Sequence, residues 1–444
     1  MKRTKKILVG LLATLSALFG ALGLAACGSS NIEQDSDLGS YSQGLEYKSV
    51  KHFLSEETYI VNGIGECTDK DIVIPSRYNG KKVTAIANSA FRNCNSLTSI
   101  TVPNSITSIG KMAFYWCENL SSITIGDGVT SIGDEAFYWC NNITSVKAPM
   151  VILDHIQQSN LETAVMTSGE SVRASAFGGC RKLRSVSLPD SVKFIGEEAF
   201  RDCKSLKSIT IPQNVTSIAS ETFSGCESLG NISIPDGVTS IGKYAFKGCY
   251  GLTAINIPDS VISIGEWAFG GCSELKNIYY EGTIATWCKI EFEDLLSNPL
   301  VLAEKLYLEN ELVTKIQIPN VIAEVKAYTF YNCKSLTSIE IPDSVTSIGS
   351  EAFRNCISLT SIEIPDSVTD IGDWAFGWCN SLTSVTIGGN VTSIGDEAFS
   401  GCENLTSITF NGTKAQWNAI EKGSWWNNNV PATKVVCSDG EVSL

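Results

Sequence analysis

Histidine is nearly absent from this sequence: its 444 residues include only His52 and His155. Histidine is the commonest general base and a frequent zinc ligand, so few catalytic or metal centres can be assembled. A Cys–His nucleophile pair would need Cys140 beside His155, and we expect His155 to be a surface residue on an irregular loop instead. No P-loop, dinucleotide-binding glycine motif or histidine-based zinc motif occurs. The sequence therefore predicts a protein that is not an enzyme and needs no cofactor or metal ion.

Basic residues are also in the minority. Lys and Arg number 33 against 47 Asp and Glu, which gives a formal net charge of −14. No basic stripe follows the first six residues, and binding to phosphates needs clustered Lys and Arg. Nucleic acid is therefore excluded as the expected partner. Apolar residues make up 43% of the chain and charged residues 18%, which favours a packed chain over a disordered one.

The longest apolar run lies at the N-terminus. Four basic residues within the first six precede an apolar run over 7–26 that ends in LGLAAC, the layout of a secretory signal peptide. A membrane-spanning anchor helix is the alternative. The LAAC ending resembles the lipobox of bacterial lipoproteins. That resemblance implies cleavage before Cys27, a diacylglyceryl group on Cys27, and a bacterial cell-surface protein attached to its membrane through lipid alone.

A repeated Phe-x-x-Cys pattern dominates the rest of the chain, most often at a step of 23 residues. Within each unit, residues such as Ile100 and Val102 alternate with polar ones as in a short strand with one buried face, and Pro103 ends the strand. The next segment, SITSIG, allows a second extended stretch, and A-F-x-x-C a compact turn or short helix. The repeated phenylalanines are Phe91, Phe114, Phe137, Phe177, Phe200, Phe223, Phe246, Phe269, Phe330, Phe353, Phe376 and Phe399.

This unit resembles the leucine-rich repeats of the treponemal, BspA-like type found in bacterial surface proteins. The resemblance covers roughly residues 45–444 and implies a repeat solenoid of about fifteen coils, because one coil buries too little apolar surface to fold alone. It also implies adhesion, with an extracellular protein or glycan of a host or neighbouring cell as the partner. An architectural protein of the cell envelope without a specific ligand is the alternative.

Two breaks divide the array. Between Phe137 and Phe177 the step is 40 residues, which makes 141–160 a degenerate coil. A Gly-Thr-x-x-x-Trp unit near Trp287 returns near Trp417, and we interpret both as capping or spacer modules. The predicted organisation is a lipoprotein signal peptide over 1–27, a polar tether over 28–45, a β-rich cap over 46–90, repeat array 1 over 91–275, the spacer module over 276–312, repeat array 2 over 313–407 and a C-terminal cap over 408–444.

Sixteen cysteines in an exported chain would ordinarily indicate disulfides. Twelve of them occupy one repeat position and should form a column with one thiol per coil. Neighbouring strands would hold their Cβ atoms ~4.8 Å apart, wider than the usual ~3.8 Å of a disulfide, and no C-x-x-C pair offers a zinc site. We expect reduced, buried thiols with weak S–H donors, a few bridges being the alternative. The states of Cys67, Cys288 and Cys437 are left open.

Aromatic residues interrupt the monotony of the repeat. A Tyr-Trp pair beside one Phe-x-x-Cys turn returns in the next coil, where other coils carry Gly, Arg, Asn or Asp. Tyrosine and tryptophan dominate binding hot spots, so exposed pairs favour a ligand site, whereas packing along the flank is the alternative. The candidate ligand-binding residues are Tyr115, Trp116, Tyr138, Trp139, Trp267, Trp374 and Trp378.

Overall fold

The structure is a computed structural model that describes residues 41–444 except residues 54 and 304. The predicted signal peptide, Cys27 and most of the predicted tether lie outside the described residues. Ser42 and Leu45, at the end of the predicted tether, are buried. The Ser42 N–H donates to the Val73 carbonyl at 3.0 Å, and these residues therefore belong to the folded body.

The repeats build a solenoid of about 16 turns, each about 23 residues long. Each regular coil contributes a strand of up to four residues and, beyond it, a two-residue strand, as the sequence predicts. Ile100 and Val102 are buried while Ser99 and Thr101 are half-buried, so the strand has one buried face. The A-F-x-x-C segment forms a turn rather than a helix in regular coils.

The longer strands form one face of the solenoid, which we call the long-strand face. Equal positions of successive coils pair in parallel, as Ile100 does with Ile123. The strands are Asp71–Val73, Ser99–Val102, Ser122–Ile125, Ser145–Ala148, Thr163–Met166, Ser185–Ser187, Asn231–Ser233, Ala254–Ile257, Asn277–Tyr280, Lys305–Leu308, Lys315–Gln317, Ser338–Glu340, Ser361–Ile364, Ser384–Ile387, Ser407–Phe410 and Lys434–Cys437.

A second face consists mainly of the two-residue strands, also paired in parallel. The face begins with two six-residue strands, Thr58–Gly63 and Lys81–Ile86. The two-residue strands that follow are Ser108–Ile109, Ser131–Ile132, Ser171–Val172, Phe194–Ile195, Ser217–Ile218, Ser240–Ile241, Ser263–Ile264, Glu291–Phe292, Glu324–Val325, Ser347–Ile348, Asp370–Ile371, Ser393–Ile394 and Glu421–Lys422. Antiparallel strands border the two faces: Glu46–Val50, Arg77–Tyr78, Glu311–Leu312 and Gly440–Ser443.

The two Gly-Thr-x-x-x-Trp modules share one local structure. Each contains a short α-helix, Ile284–Trp287 in the spacer and Lys414–Ala419 near the C-terminus. The threonine before each helix caps it through its hydroxyl, and the tryptophan is buried. Short 3₁₀ helices span Met150–Asp154, Gln158–Asn160, Leu295–Ser297 and Pro299–Val301.

Stacked phenylalanine rings run through the core. Rings of successive regular coils lie 4.9 to 5.6 Å apart, with planes inclined by 4 to 12°. Three separate runs extend from Phe91 to Phe137, from Phe177 to Phe269 and from Phe330 to Phe399. The runs end where the sequence departs from the 23-residue step, so the two breaks interrupt the core itself.

The cysteines form the predicted column, and all fifteen described cysteines are free. In nine of them the S–H donates to the carbonyl of the phenylalanine in the preceding coil, at 3.0 to 3.3 Å; Cys249, for example, donates to Phe223 at 3.2 Å. Cysteine thus fills a small apolar space and also donates a hydrogen bond between coils. Cys288 and Cys437, outside the column, are buried, and Cys67 is half-buried.

We expect the eleven fully buried thiols of this column, all but Cys94, to be chemically inert in the folded chain. Burial raises the pKa of Cys226 to about 12, so its reactive thiolate is scarce near neutral pH. A maleimide reagent at pH 7.5 should label Cys67 and Cys94 among the described cysteines, because these two are only half-buried. Peptide mass mapping should show labelling of the whole column after unfolding in guanidinium. Rapid native labelling of Cys226, or disulfide-linked peptides from the column, would contradict the prediction.

Candidate functional site

Each Phe-x-x-Cys turn holds two residues in the left-handed backbone region, two positions before the phenylalanine and two after it. An ordinary side chain in this region costs about 1–2 kcal/mol, whereas Gly, Asn and Asp tolerate it. The second position is occupied by Asn93, Trp116, Trp139, Gly179, Asp202, Gly225, Gly248, Gly271, Asn332, Asn355, Trp378 and Gly401. Tryptophan is therefore the exception in a column of residues suited to this conformation.

The two earlier tryptophans of this column belong to one contiguous surface, the aromatic cluster of Tyr115, Trp116, Tyr138 and Trp139. The two tyrosine rings stack at 5.8 Å and the two indoles lie 6.1 Å apart. Trp116, Tyr138 and Trp139 are 45%, 51% and 48% exposed. Because the turns repeat in register, two Tyr-Trp pairs from successive coils create one exposed aromatic surface.

Polar neighbours hold part of this cluster in place. The Arg92 guanidinium lies 5.1 Å from the centre of the Tyr115 ring, within cation–π distance. The Trp116 indole N–H donates to the Glu118 carboxylate. These contacts orient the Tyr115 and Trp116 rings while leaving the Tyr138 and Trp139 surfaces open.

The open side of the cluster borders a cavity of about 360 Å³, which we call the break cavity. Residues 137–139 line it from the last regular turn, and Asn141 and residues 154–157 line it from the degenerate coil. The degenerate coil has no Phe-x-x-Cys turn to stack on Phe137, so a depression remains beside Trp139. Sequence reasoning identified the degenerate coil and the aromatic pairs but did not predict that they form one site.

The polar lining of the break cavity comes from the degenerate coil. Burial lowers the pKa of His155, although the Asp154 and Asp134 carboxylates oppose that effect, so His155 is neutral near pH 7. Asp154 forms an ion pair with Arg173. The Cys140 thiol donates to the Phe114 carbonyl at 3.0 Å. It is therefore hydrogen-bonded within the core and does not form a Cys–His pair with His155.

Trp267 and Trp374 occupy a different place, the first left-handed position of their turns. Each lies over the glycine three residues later: a Cβ atom on Gly270 would be 2.8 Å from Trp267 Cε3, and one on Gly377 would be 2.6 Å from Trp374 Cε3. Arg354 covers Trp374 at 4.1 Å from the ring centre. These contacts indicate that both rings pack along the flank on one side, while Trp267 remains 41% exposed on the other; the glycine three residues later is the sequence signal for this packing.

Trp378 shares the left-handed position of Trp116 and Trp139 but lies alone. It is 42% exposed, and no other described aromatic ring contacts it. Its backbone N–H donates to the Ser400 carbonyl at 2.8 Å, so the following coil covers its backbone. Trp378 thus provides an isolated counterpart of Trp139 in an uninterrupted stretch of repeats.

Two further features bear on the class of site. Across residues 41–444, apart from the two undescribed positions, no group of three or more His, Cys, Asp or Glu side chains is arranged to hold a metal ion. In the same part of the chain, no helix has both the length and the apolar character needed to cross a membrane. The candidate site is the aromatic cluster with the break cavity, because exposed rings and an open cavity with polar lining meet there.

Comparisons with known proteins agree with the architecture. Residues 66–168, 170–297 and 302–429 match the BspA type leucine rich repeat region, in six copies. No curated protein matches the chain significantly.

Several solved structures are similar in sequence. A leucine-rich repeat protein from Bacteroides ovatus is 27% identical, with 90% of this chain and 99% of that chain covered and a TM-score of 0.47. A leucine rich cell surface protein from Faecalibacterium prausnitzii is 29% identical, with 87% and 98% covered and a TM-score of 0.35. A leucine rich repeat protein of T. pallidum is 30% identical, with 48% and 90% covered and a TM-score of 0.30.

The repeat model spans most of the chain, and the parallel coils, stacked phenylalanines and cysteine column show the same 23-residue unit in three dimensions. The chain therefore belongs to the BspA-type leucine-rich repeat family.

Proposed function

We propose that this protein is a non-catalytic binding protein of the bacterial cell surface, which adheres to extracellular proteins or glycans through the aromatic cluster. The observation that carries the proposal is that Trp116 and Trp139 are exposed and adjacent across two coils, which distinguishes them from Trp378 at the same left-handed position. Backbone strain of about 1–2 kcal/mol at each residue opposes folding, and strained residues concentrate at functional sites. A role in binding accounts for their retention better than a role in stability does.

The rest of the exposed surface offers little that would select a partner. The outward positions of the long-strand face repeat Ser and Thr, as at Ser99, Thr101, Ser122 and Thr124. By contrast, the aromatic cluster combines large rings with the indole N–H and phenol groups that are enriched at interface hot spots. We therefore assign partner selection to the aromatic cluster.

We further propose lipid attachment at Cys27 as the means of surface display. The LAAC motif supports this assignment, and a similar protein from Faecalibacterium prausnitzii is described as a cell surface protein. Two acyl chains on one residue are enough for stable anchoring to a membrane.

The aromatic cluster leads to a prediction about binding. Replacing both tryptophans of the cluster (Trp116→Gly with Trp139→Gly) should weaken binding to an extracellular partner at least about tenfold, since hot-spot truncation costs ~2 kcal/mol or more. Glycine occupies the same position in five other coils, so the fold should persist. Binding would be measured by surface plasmon resonance against immobilised matrix proteins and host-cell glycoproteins, and folding by thermal melting.

The matched control is Trp378→Gly, which removes the isolated tryptophan from the same backbone position. It should bind the partner as the unmodified chain does. Equal binding by the double variant and the unmodified chain would reject the aromatic cluster as the contact surface. Uniform failure of the unmodified chain to bind any member of the panel would instead favour an architectural role.

Lipid attachment leads to a prediction about the N-terminus. Mass spectrometry of the protein purified from its native envelope should show an N-terminal Cys27 with a diacylglyceryl group. Cys27→Ala should abolish that modification and release the protein from the membrane fraction. A mature chain that retains Met1 and carries no lipid would refute lipid attachment.

A further inference from the structure

The turns of regular coils are joined by backbone hydrogen bonds between successive coils. Where one regular turn follows another, three alternate N–H groups donate to carbonyls of the next turn. In one such turn Phe114 donates to Ala136 at 2.7 Å and Trp116 donates to Tyr138 at 2.9 Å. The third donor of that turn is Met112. These bonds leave no free donor on the upper edge of a regular turn.

The turn below the first break lacks these partners. No described residue accepts a hydrogen bond from the N–H of Glu135, Phe137 or Trp139. Phe137 is only 1% exposed, and buried backbone N–H groups are very rarely left without a partner. Phe137 and Trp139 also line the break cavity. The cavity therefore lies beside a set of backbone donors that elsewhere in the array hold the next coil.

The second break does not leave the same opening. There the backbone N–H of Trp267 donates to the Asp294 carboxylate at 3.2 Å, and the backbone N–H of Phe269 donates to the Leu296 carbonyl at 3.3 Å. The spacer thus supplies acceptors that the degenerate coil does not. The Gly271 N–H, the counterpart of the Trp139 N–H, also lacks an acceptor among the described residues, so the second break leaves one unpartnered donor in its turn where the first break leaves three.

The free edge presents donors but few acceptors, which restricts the ligand. The carbonyls of Asp134, Ala136 and Tyr138 already accept hydrogen bonds from the preceding coil. An added peptide strand needs both donors and acceptors from the edge it joins, and this edge would leave its N–H groups unpaired. Saccharide hydroxyl and ring oxygens accept hydrogen bonds, and hydroxyls can turn their own hydrogens to other acceptors.

The side chains around the cavity suit a sugar ring. Tyr138 and Trp139 offer half-exposed aromatic rings against which the apolar C–H face of a pyranose can pack. Asn141 and Gln157 supply amide donors and acceptors, and Asp154 supplies carboxylate acceptors. The volume of about 360 Å³ is at the small end of ligand pockets, enough for one or two sugar rings.

Charge selects between classes of sugar. The carboxylates of Asp134 and Asp154 act on His155 at the cavity, and Glu118 lies beside Trp116. Arg173 is paired with Asp154 and so is not free to bind an anion. An acidic sugar would be repelled by this surrounding charge, whereas a neutral sugar would not.

We propose that the break cavity binds a neutral pyranose saccharide, held by the Phe137 and Trp139 N–H groups and stacked on Trp139. This inference rests on the proposed function, for which it names the ligand class, and it adds the degenerate coil to the site. The irregular coil is thereby the element that turns a structural repeat into a binding site.

The test is saturation-transfer NMR on the full chain with N-acetyllactosamine, cellobiose and chitobiose, together with sialylated N-acetyllactosamine as the acidic counterpart. At least one neutral disaccharide should receive saturation, and its affinity should fall at least tenfold in Trp139→Gly. Trp378→Gly should bind as the unmodified chain does. Gln157→Ala, an exposed cavity residue outside the aromatic cluster, should also weaken sugar binding and leave the melting temperature unchanged.

Several results would overturn the inference: no binding of any neutral sugar, binding of the sialylated sugar alone, sugar binding that survives Trp139→Gly, or capture of an extended peptide in the cavity. The sugar-binding and matrix-protein assays together separate the two proposals. If neutral sugars do not bind while matrix-protein binding is lost in the Trp116→Gly and Trp139→Gly variant, the saccharide inference fails and the proposed function stands. If sugars bind but the double variant keeps its protein partner, the aromatic cluster is not the adhesion surface.

Discussion

Hydrogen bonding between equal positions of successive coils is the interaction on which the rest of this structure depends. Strands and Phe-x-x-Cys turns of regular coils form their backbone hydrogen bonds with the same positions of the next coil. A side chain at a given repeat position therefore lies above its counterpart in the neighbouring coil. The phenylalanine stack and the S–H bonds of the cysteine column both follow from this register. Stability is therefore shared between neighbours, and a coil that departs from the repeat leaves groups unpaired on the coil beside it.

Much of the fold could be predicted from the sequence because its signals are local and repeated. The alternation around Ile100 gives a one-faced strand, Pro103 ends it, and the 23-residue step places Cys226 and Cys249 in one column. The break cavity could not be predicted in this way. It depends on which backbone groups lose their partners when a turn is missing, and that is visible only once the neighbouring coils are in place.

The aromatic candidates show the same division between local and three-dimensional information. Sequence alone placed seven residues together as possible ligand contacts. The structure separates Trp267 and Trp374, which pack over glycines of their own turns, from Trp116 and Trp139, whose rings lie side by side across two coils. The glycine three residues after Trp267 and Trp374 is a usable local signal. The opening beside Trp139, in contrast, comes from residues more than ten positions further along the chain.

The two breaks show that interruption alone does not create a site. In the spacer, the Trp287 indole N–H donates to the Thr329 carbonyl at 2.8 Å, and the Asn298 side-chain amide donates to the Tyr328 carbonyl at 2.7 Å. Side chains therefore replace the backbone bonds of the missing regular coil. The degenerate coil supplies no such substitute above Phe137, and it follows the one pair of coils that carries two Tyr-Trp pairs. Unpaired donors and exposed rings each oppose folding, and at the first break three such donors lie beside the exposed rings of Tyr138 and Trp139. A ligand that satisfies both would make that place stable, which is why we assign recognition to this break and structural continuity to the other.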